Sequence, residues 1–158
     1  MSRVTVLSAS QCSTYAGCSL RWHLRYVERA PEESRSGALV VGSVVHAALA
    51  SGIHELRSGE TRMEELDPGV IFKKAWDAEL QSADVPTKWG TKGEASAKKT
   101  AEGLVRAFFD AEDLPKRIAR IVDLDVKFEI PVVNPTTGFE VPDLKLLGFL
   151  DGVERRED

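Results

Sequence analysis

No apolar run in this sequence approaches the ~20 residues that a membrane-spanning helix needs. The first ten residues, MSRVTVLSAS, also lack the long apolar core of a secretion signal. The two absences together predict a cytoplasmic protein. A surplus of positive charge is missing as well. The formal net charge is -4, so any nucleic-acid-binding surface has to be a local patch. Cysteine is scarce: Cys12 and Cys18 are the two in the chain. On one helix they stand about 9 Å apart along the axis and point away from a shared face, so they cannot bond to each other there. Two thiols in a reducing compartment are the plain reading, and one ligand of a metal cluster is the sharper one. Several catalytic signatures are absent: no Gly-x4-Gly-Lys-Ser/Thr phosphate loop, no GxGxxG, no CxxC and no GxSxG. Internal repeats and low-complexity segments are missing too.

The sequence does carry 158 residues with a soluble, globular balance of charged and apolar types, enough for one domain over 1–158. Residues 8–28 read as a first helix. Ser8 and Gln11 fit a capping box, and Tyr15, Cys18, Trp22 and Tyr26 fall on one stripe. Arg21, Arg25 and Arg29 line an edge at four-residue spacing. Such an edge is either a solvated helix face or a set of phosphate contacts. Residues 31–37 read as a loop and 38–41 as a short apolar stretch. A second helix starts near Gly42 or Ser43 and runs to Arg57, with Val45, Ala48, Leu49, Ile53 and Leu56 inward. His46 sits in its first turn at the margin of that stripe, and His54 lies two turns on. A histidine there is either structural or a metal ligand through a neutral imidazole nitrogen.

Asp67-Pro68 announces a third helix over 68–83. Residues 85–94 form a loop in which Lys88, Trp89 and Lys92 either contact nucleic acid or, for the tryptophan, cap the core. A fourth helix covers 94–112, with Ala101, Leu104, Val105 and Phe108 inward, and Leu114-Pro115 ends the helical part. The period then switches to two. Val122, Leu124, Val126, Phe128 and Ile130 alternate with Asp123, Asp125, Lys127 and Glu129, a strand with one buried face. A connection over 131–143 leads to a closing strand, Leu146–Arg155, that is apolar at both parities, so both of its faces should be covered. Asp151 lies among Leu147, Phe149 and Val153. A carboxylate buried there costs several kcal/mol, roughly, unless an arginine, backbone N–H groups or a metal ion meets it. The expectation is an α/β chain in two parts: helices over 1–115, then an antiparallel strand pair over 120–156 whose sheet is incomplete.

Three stretches resemble the RecB-like group of the PD-(D/E)XK nuclease superfamily, closest to the phage and CRISPR-associated exonucleases. Ser8 to Trp22, running on through Arg25-Tyr26-Val27, resembles the group's opening helix, with Ser19 where a proline is usual. Gly42-Ser-Val-Val-His46 resembles its Gly-x3-His helix, whose histidine reaches the metal. Phe128-Glu-Ile-Pro-Val, a loop and Gly148-Phe-Leu-Asp151 resemble the strand pair ending in Gly-x2-Asp, whose aspartate is a metal ligand. The resemblance implies a restriction-endonuclease-like core and hydrolysis of DNA phosphodiesters with Mg²⁺ or Mn²⁺. It implies His46 and Asp151 as the catalytic metal ligands and Asp125 as a further candidate, with Glu129 as its substitute. Arg21, Arg25, Lys88 and Lys92 are candidate backbone contacts.

The group's next motif, Asp/Glu-x-Lys, does not follow Asp151. The expectation is therefore a chain cut before that motif and inactive alone, or else a non-catalytic member that binds nucleic acid or a partner protein. Some members hold an iron–sulfur cluster with an early cysteine placed like Cys18, whose plainer reading is a small buried residue. DNA, and a helicase or a recombination or CRISPR protein, are the implied partners.

Overall fold

A computed structural model describes residues 5–59 and 61–156. Among these are six α-helices, a π-helical turn, a short 3₁₀ turn and two small sheets. The chain divides into two compact units. One comprises residues 1–31 and 125–152, the other 32–124 and 153–158.

The second unit holds the packed core. It opens with β2 (Arg35–Ser36), which pairs in parallel with β3 (Thr87–Lys88), so two stretches expected to be loops hydrogen-bond to each other. Arg35 anchors that pairing. Its guanidinium meets Glu79 at 2.6 Å and the Thr87 hydroxyl at 2.9 Å. Helix α3 (Gly37–Ser58) starts five residues earlier than expected, because Ser36 caps it by accepting from the Ala38 N–H. Gly42 is therefore an interior helix residue and not its start. Gly59, at φ 75°, closes the helix in the left-handed region that glycine tolerates.

By length and composition alone α3 passes for a membrane span, with a mean hydropathy of 1.5, contrary to the reading that no run comes close. Its apolar residues have partners, however. Val40, Val44 and Ala48 are buried in one cluster with residues of α4 (Pro68–Gln81) and α5 (Gly93–Phe109), and Ile53 is buried as well. Asp67 caps α4 through the Gly69 N–H, with Pro68 in the first turn as its sequence announces. Ile71, Phe72 and Trp76 of α4 meet Ala101, Val105 and Phe109 of α5 in the same cluster. The α5 face is turned slightly from expectation. Leu104, predicted inward, is exposed and Phe109 is buried.

Leu114-Pro115 does not end the helical part. It begins α6 (Leu114–Arg120), where a proline in the first turn removes no helical hydrogen bond. Leu114 itself is buried in the core.

Gly52 shows how tight this packing is. A β-carbon there would run into the Phe109 ring and come within 3.1 Å of Ile71. Gly52→Ala gains about 1 kcal/mol of helix propensity but overpacks, which typically costs about 1–3 kcal/mol. The variant is expected to unfold at lower urea concentration than the parent. A raised midpoint would show that the ring has room to move.

The other unit has a different construction. Strand β1 (Thr5–Ser8) pairs in parallel with β5 (Glu140–Glu154), Thr5 opposite Leu144 and Ser8 opposite Leu147. With β4 (Ile121–Val133) the sheet order is β1-β5-β4. A six-residue connection, 134–139, is too short for a parallel crossover, so β4 and β5 are antiparallel. Asn134 shapes that turn by accepting from the N–H groups of Thr136 and Thr137.

The single helix expected over 8–28 is broken. Ser8 caps α1 (Ala9–Gly17) through the Gln11 N–H. Cys18 then takes extended backbone and its Sγ accepts from the Arg21 N–H at 3.5 Å. The chain restarts as α2 (Ser19–Trp22) and widens into a π turn, His23–Val27. Gly17 is a poor interior helix residue, which favours the break there.

Candidate functional site

His46 lies well inside α3, not in its first turn, because the helix begins at Gly37. Its helix neighbours Val44 and Ala48 are buried, each two residues away and so on the opposite face, and the imidazole is exposed. His54, further along α3, is exposed too. Gly42, of the Gly-x3-His pattern, has open space around it, so packing gives no reason for a glycine there.

Asp151 lies near the end of β5 and is exposed, as are its neighbours Phe149 and Leu150. The expectation of a carboxylate buried among apolar side chains is therefore wrong. Leu and Phe at both parities report the preference of such residues for extended backbone, not coverage of both faces. Among the described residues none of this unit is fully buried.

The glycine of the Gly-x2-Asp pattern does have a physical reason. The Phe128 ring of the neighbouring strand lies directly against Gly148, where a β-carbon would overlap it. Gly148→Ala is expected to cost about 1–3 kcal/mol by overpacking, read from urea unfolding. A variant as stable as its parent would mean that the ring is displaced freely.

Asp125, the further ligand candidate, has φ 53° within β4, and Asp143 in β5 has φ 58°. Both are in the left-handed region that few residues other than glycine enter. Each is followed two positions later by a lysine, giving Asp125-Val126-Lys127 and Asp143-Leu144-Lys145. The Asp-x-Lys pattern thus occurs twice ahead of Asp151. Sequence reasoning missed both by looking for it only downstream. Lys127 and Lys145 both approach Glu129, at 3.1 and 3.9 Å, so the three share one face of the sheet.

The basic candidates are dispersed. Arg21 is exposed on α2, and Arg25 in the π turn stacks over the Tyr26 ring. The break at Cys18 and the wider turn after it disrupt the regular four-residue edge. The aromatic stripe survives as contacts of Trp22 with Tyr15 and Tyr26, yet Tyr15 is exposed. Lys88 is in β3. Lys92 precedes α5 and lines a cavity of about 310 Å³ together with Gly37, Val41 and Trp89. Trp89 stacks on Trp76, ring centroids 5.7 Å apart, so it caps the core.

Cys18 is exposed, contrary to the small buried residue expected, and serves as the cap of α2. An iron–sulfur cluster generally takes four cysteine thiolates, and the chain has two cysteines.

Imidazole and carboxylate donors suit a hard divalent cation, and His46, Asp125 and Asp151 are open to solvent. Among the described residues, however, no three His, Cys, Asp or Glu side chains are gathered closely enough to hold an ion. The donor chemistry of these side chains fits Mg²⁺ or Mn²⁺.

Comparison with known proteins gives one positive finding. A family model described as the PD-(D/E)XK nuclease superfamily matches residues 6–158. No curated protein and no solved structure matches the chain.

Proposed function

This chain belongs to the PD-(D/E)XK nuclease superfamily, and we propose that it is a metal-dependent DNA nuclease of the RecB-like, exonuclease-like group. The observation that carries the reading is the extent of the family match, which takes in both His46 and Asp151. Nucleases of this superfamily generally work with Mg²⁺ or Mn²⁺. Such an ion polarises the scissile phosphate and lowers the pKa of a bound water.

On this reading His46 supplies a neutral imidazole nitrogen, and Asp151 and Asp125 supply carboxylate oxygens. Lys127, two residues beyond Asp125, is the lysine of an Asp-x-Lys pattern on β4. Arg21, Arg25, Lys88 and Lys92 offer positive charge to the DNA backbone, a contact that needs exposure more than exact placement. The subgroup implies a cytoplasmic setting and a helicase, recombination or CRISPR protein as partner.

The alternative reading is a non-catalytic member that binds nucleic acid or a partner protein. Calorimetric titration with Mn²⁺ separates the two. The nuclease reading expects saturable binding that weakens in Asp151→Ala and in His46→Ala. Absence of Mn²⁺ binding by the parent chain would move the assignment to the second reading.

A further inference from the structure

A basic cavity of about 370 Å³ lies at the end of α6, lined by Lys116, Ala119, Arg120 and Arg155. All four residues belong to the helical unit. The fold brings the cations together by a specific bond: the Arg155 N–H donates to the Arg120 carbonyl at 2.8 Å, tying the chain beyond β5 to the last residue of α6. Lys116 and Arg120 are one helical turn apart and so share a face of α6. The chain as a whole carries net charge -4, so three converging cations run against its average.

Among the described residues their compensation is incomplete, and Glu154 is the carboxylate facing this cluster. It stands 3.9 Å from Arg120 and 3.8 Å from Arg117, within ion-pair range but beyond hydrogen-bond length. Arg117 is also engaged with the Phe108 ring. Among the described residues the side chains of Lys116 and Arg155 form no ion pair. Within the cluster the Arg120 Nε is buried and, among the described residues, has no hydrogen-bond partner. A buried donor without an acceptor destabilises a fold, and natural structures seldom leave one without a reason. Cations in the last turn of a helix complement its carbonyl end, which accounts for Arg117 and Arg120. It accounts neither for Lys116 and Arg155 nor for the orphaned Nε.

We propose that this cavity binds a phosphate group of a nucleic-acid backbone, with Arg120 as its central donor and Lys116 and Arg155 flanking it. A phosphate supplies anionic oxygens that the fork of an arginine meets well, and it offsets the repulsion among the three cations. The choice of a nucleic-acid phosphate rests on the nuclease reading. The phosphate chemistry itself does not.

The test measures anisotropy of a fluorescent oligonucleotide with the full chain in EDTA, so that cleavage is silent. Replacing both arginines, Arg120→Gln with Arg155→Gln, is expected to weaken binding on the order of tenfold at low salt. It should also lower the salt slope by roughly one per cation removed. Glu154→Gln removes the competing carboxylate and is expected to tighten binding several-fold, a gain that misfolding cannot produce. Arg155→Gln alone changes an exposed side chain and guards against loss of folding in the double variant.

Parent-like affinity in both arginine variants would overturn the site, as would unchanged binding in Glu154→Gln. A second arm uses inorganic phosphate against chloride of equal ionic strength. If phosphate raises the melting temperature of the parent but not of the double variant, while oligonucleotide affinity is the same in both, the cavity takes free phosphate and the backbone assignment fails. Cleavage with Mn²⁺ is scored separately. A chain that binds through this cavity but never cleaves sinks the nuclease reading and leaves the phosphate site standing.

Discussion

On the proposed nuclease reading, and against the expectation of a chain inactive alone, Asp151→Ala is expected to remove Mn²⁺-dependent cleavage of DNA, lowering kcat/KM by on the order of a hundredfold or more. The size follows from what a bound metal ion contributes. Lewis-acid stabilisation of a developing phosphate charge is worth several kcal/mol, roughly, and each 1.36 kcal/mol, about, is a factor of ten in rate. The loss should come with little change in folding, because Asp151 is exposed and neither neighbour is buried. His46→Ala is expected to behave in parallel, since it too is exposed and belongs to a helix whose opposite face does the packing. Asp151→Asn makes the stricter variant, because it keeps the shape and removes the charge a cation needs. The measurement is a cleavage time course alongside Mn²⁺ titration. Full activity in Asp151→Ala would end the ligand assignment.

The family was legible before the fold was. Gly-x3-His46 and Gly148-x2-Asp151 carried the resemblance, and the family model agrees over residues 6–158. The RecB-like subgroup goes beyond that match.

Elements with strong local signals were also legible. Asp67-Pro68 fixed the start of α4 through a cap and a proline that act within a few residues. The alternation from Leu124 to Phe128 was read rightly as a strand with one more protected face. The failures share a cause, which is that their signal lies far away in sequence. Strand β1 is four residues long, too short to show a period, and becomes a strand by pairing with β5. Strands β2 and β3 have two residues each and exist because Arg35 bridges to Glu79 and Thr87. Pro115 was ambiguous locally, since proline both ends helices and begins them. The basic cavity was invisible because Arg155 reaches Arg120 through a tertiary backbone bond. Asp151 taught the sharper lesson. Its apolar neighbours suggested burial and a forced partner, whereas its exposure leaves the family pattern as the argument for a ligand.

Trp76→Ala is expected to cause the largest loss of stability of any single change considered, about 3–5 kcal/mol. Trp76 is 2% exposed. It touches Phe72 within α4, with centroids 5.7 Å apart, and stacks on Trp89 at the same centroid distance and an interplanar angle of 17°. Truncation therefore removes an aromatic body from the cluster and leaves a cavity that α3 and α5 cannot fill without moving. It also strips Trp89 of the surface it covers, and Trp89 in turn lies against Gly37, within 2.7 Å of where a β-carbon would stand. The loss should thus propagate to the first turn of α3, the helix that carries His46. A protein of this size has a total stability of about 5–15 kcal/mol, so the change removes a large share of it. Urea unfolding is the check, with the midpoint falling and the slope unchanged. Trp76→Phe should retain much of the contact and fall between the two. If Trp76→Ala costs less than about 1 kcal/mol, well below the usual penalty for such truncations, the α3–α4–α5 core is not the cooperative unit that its packing indicates.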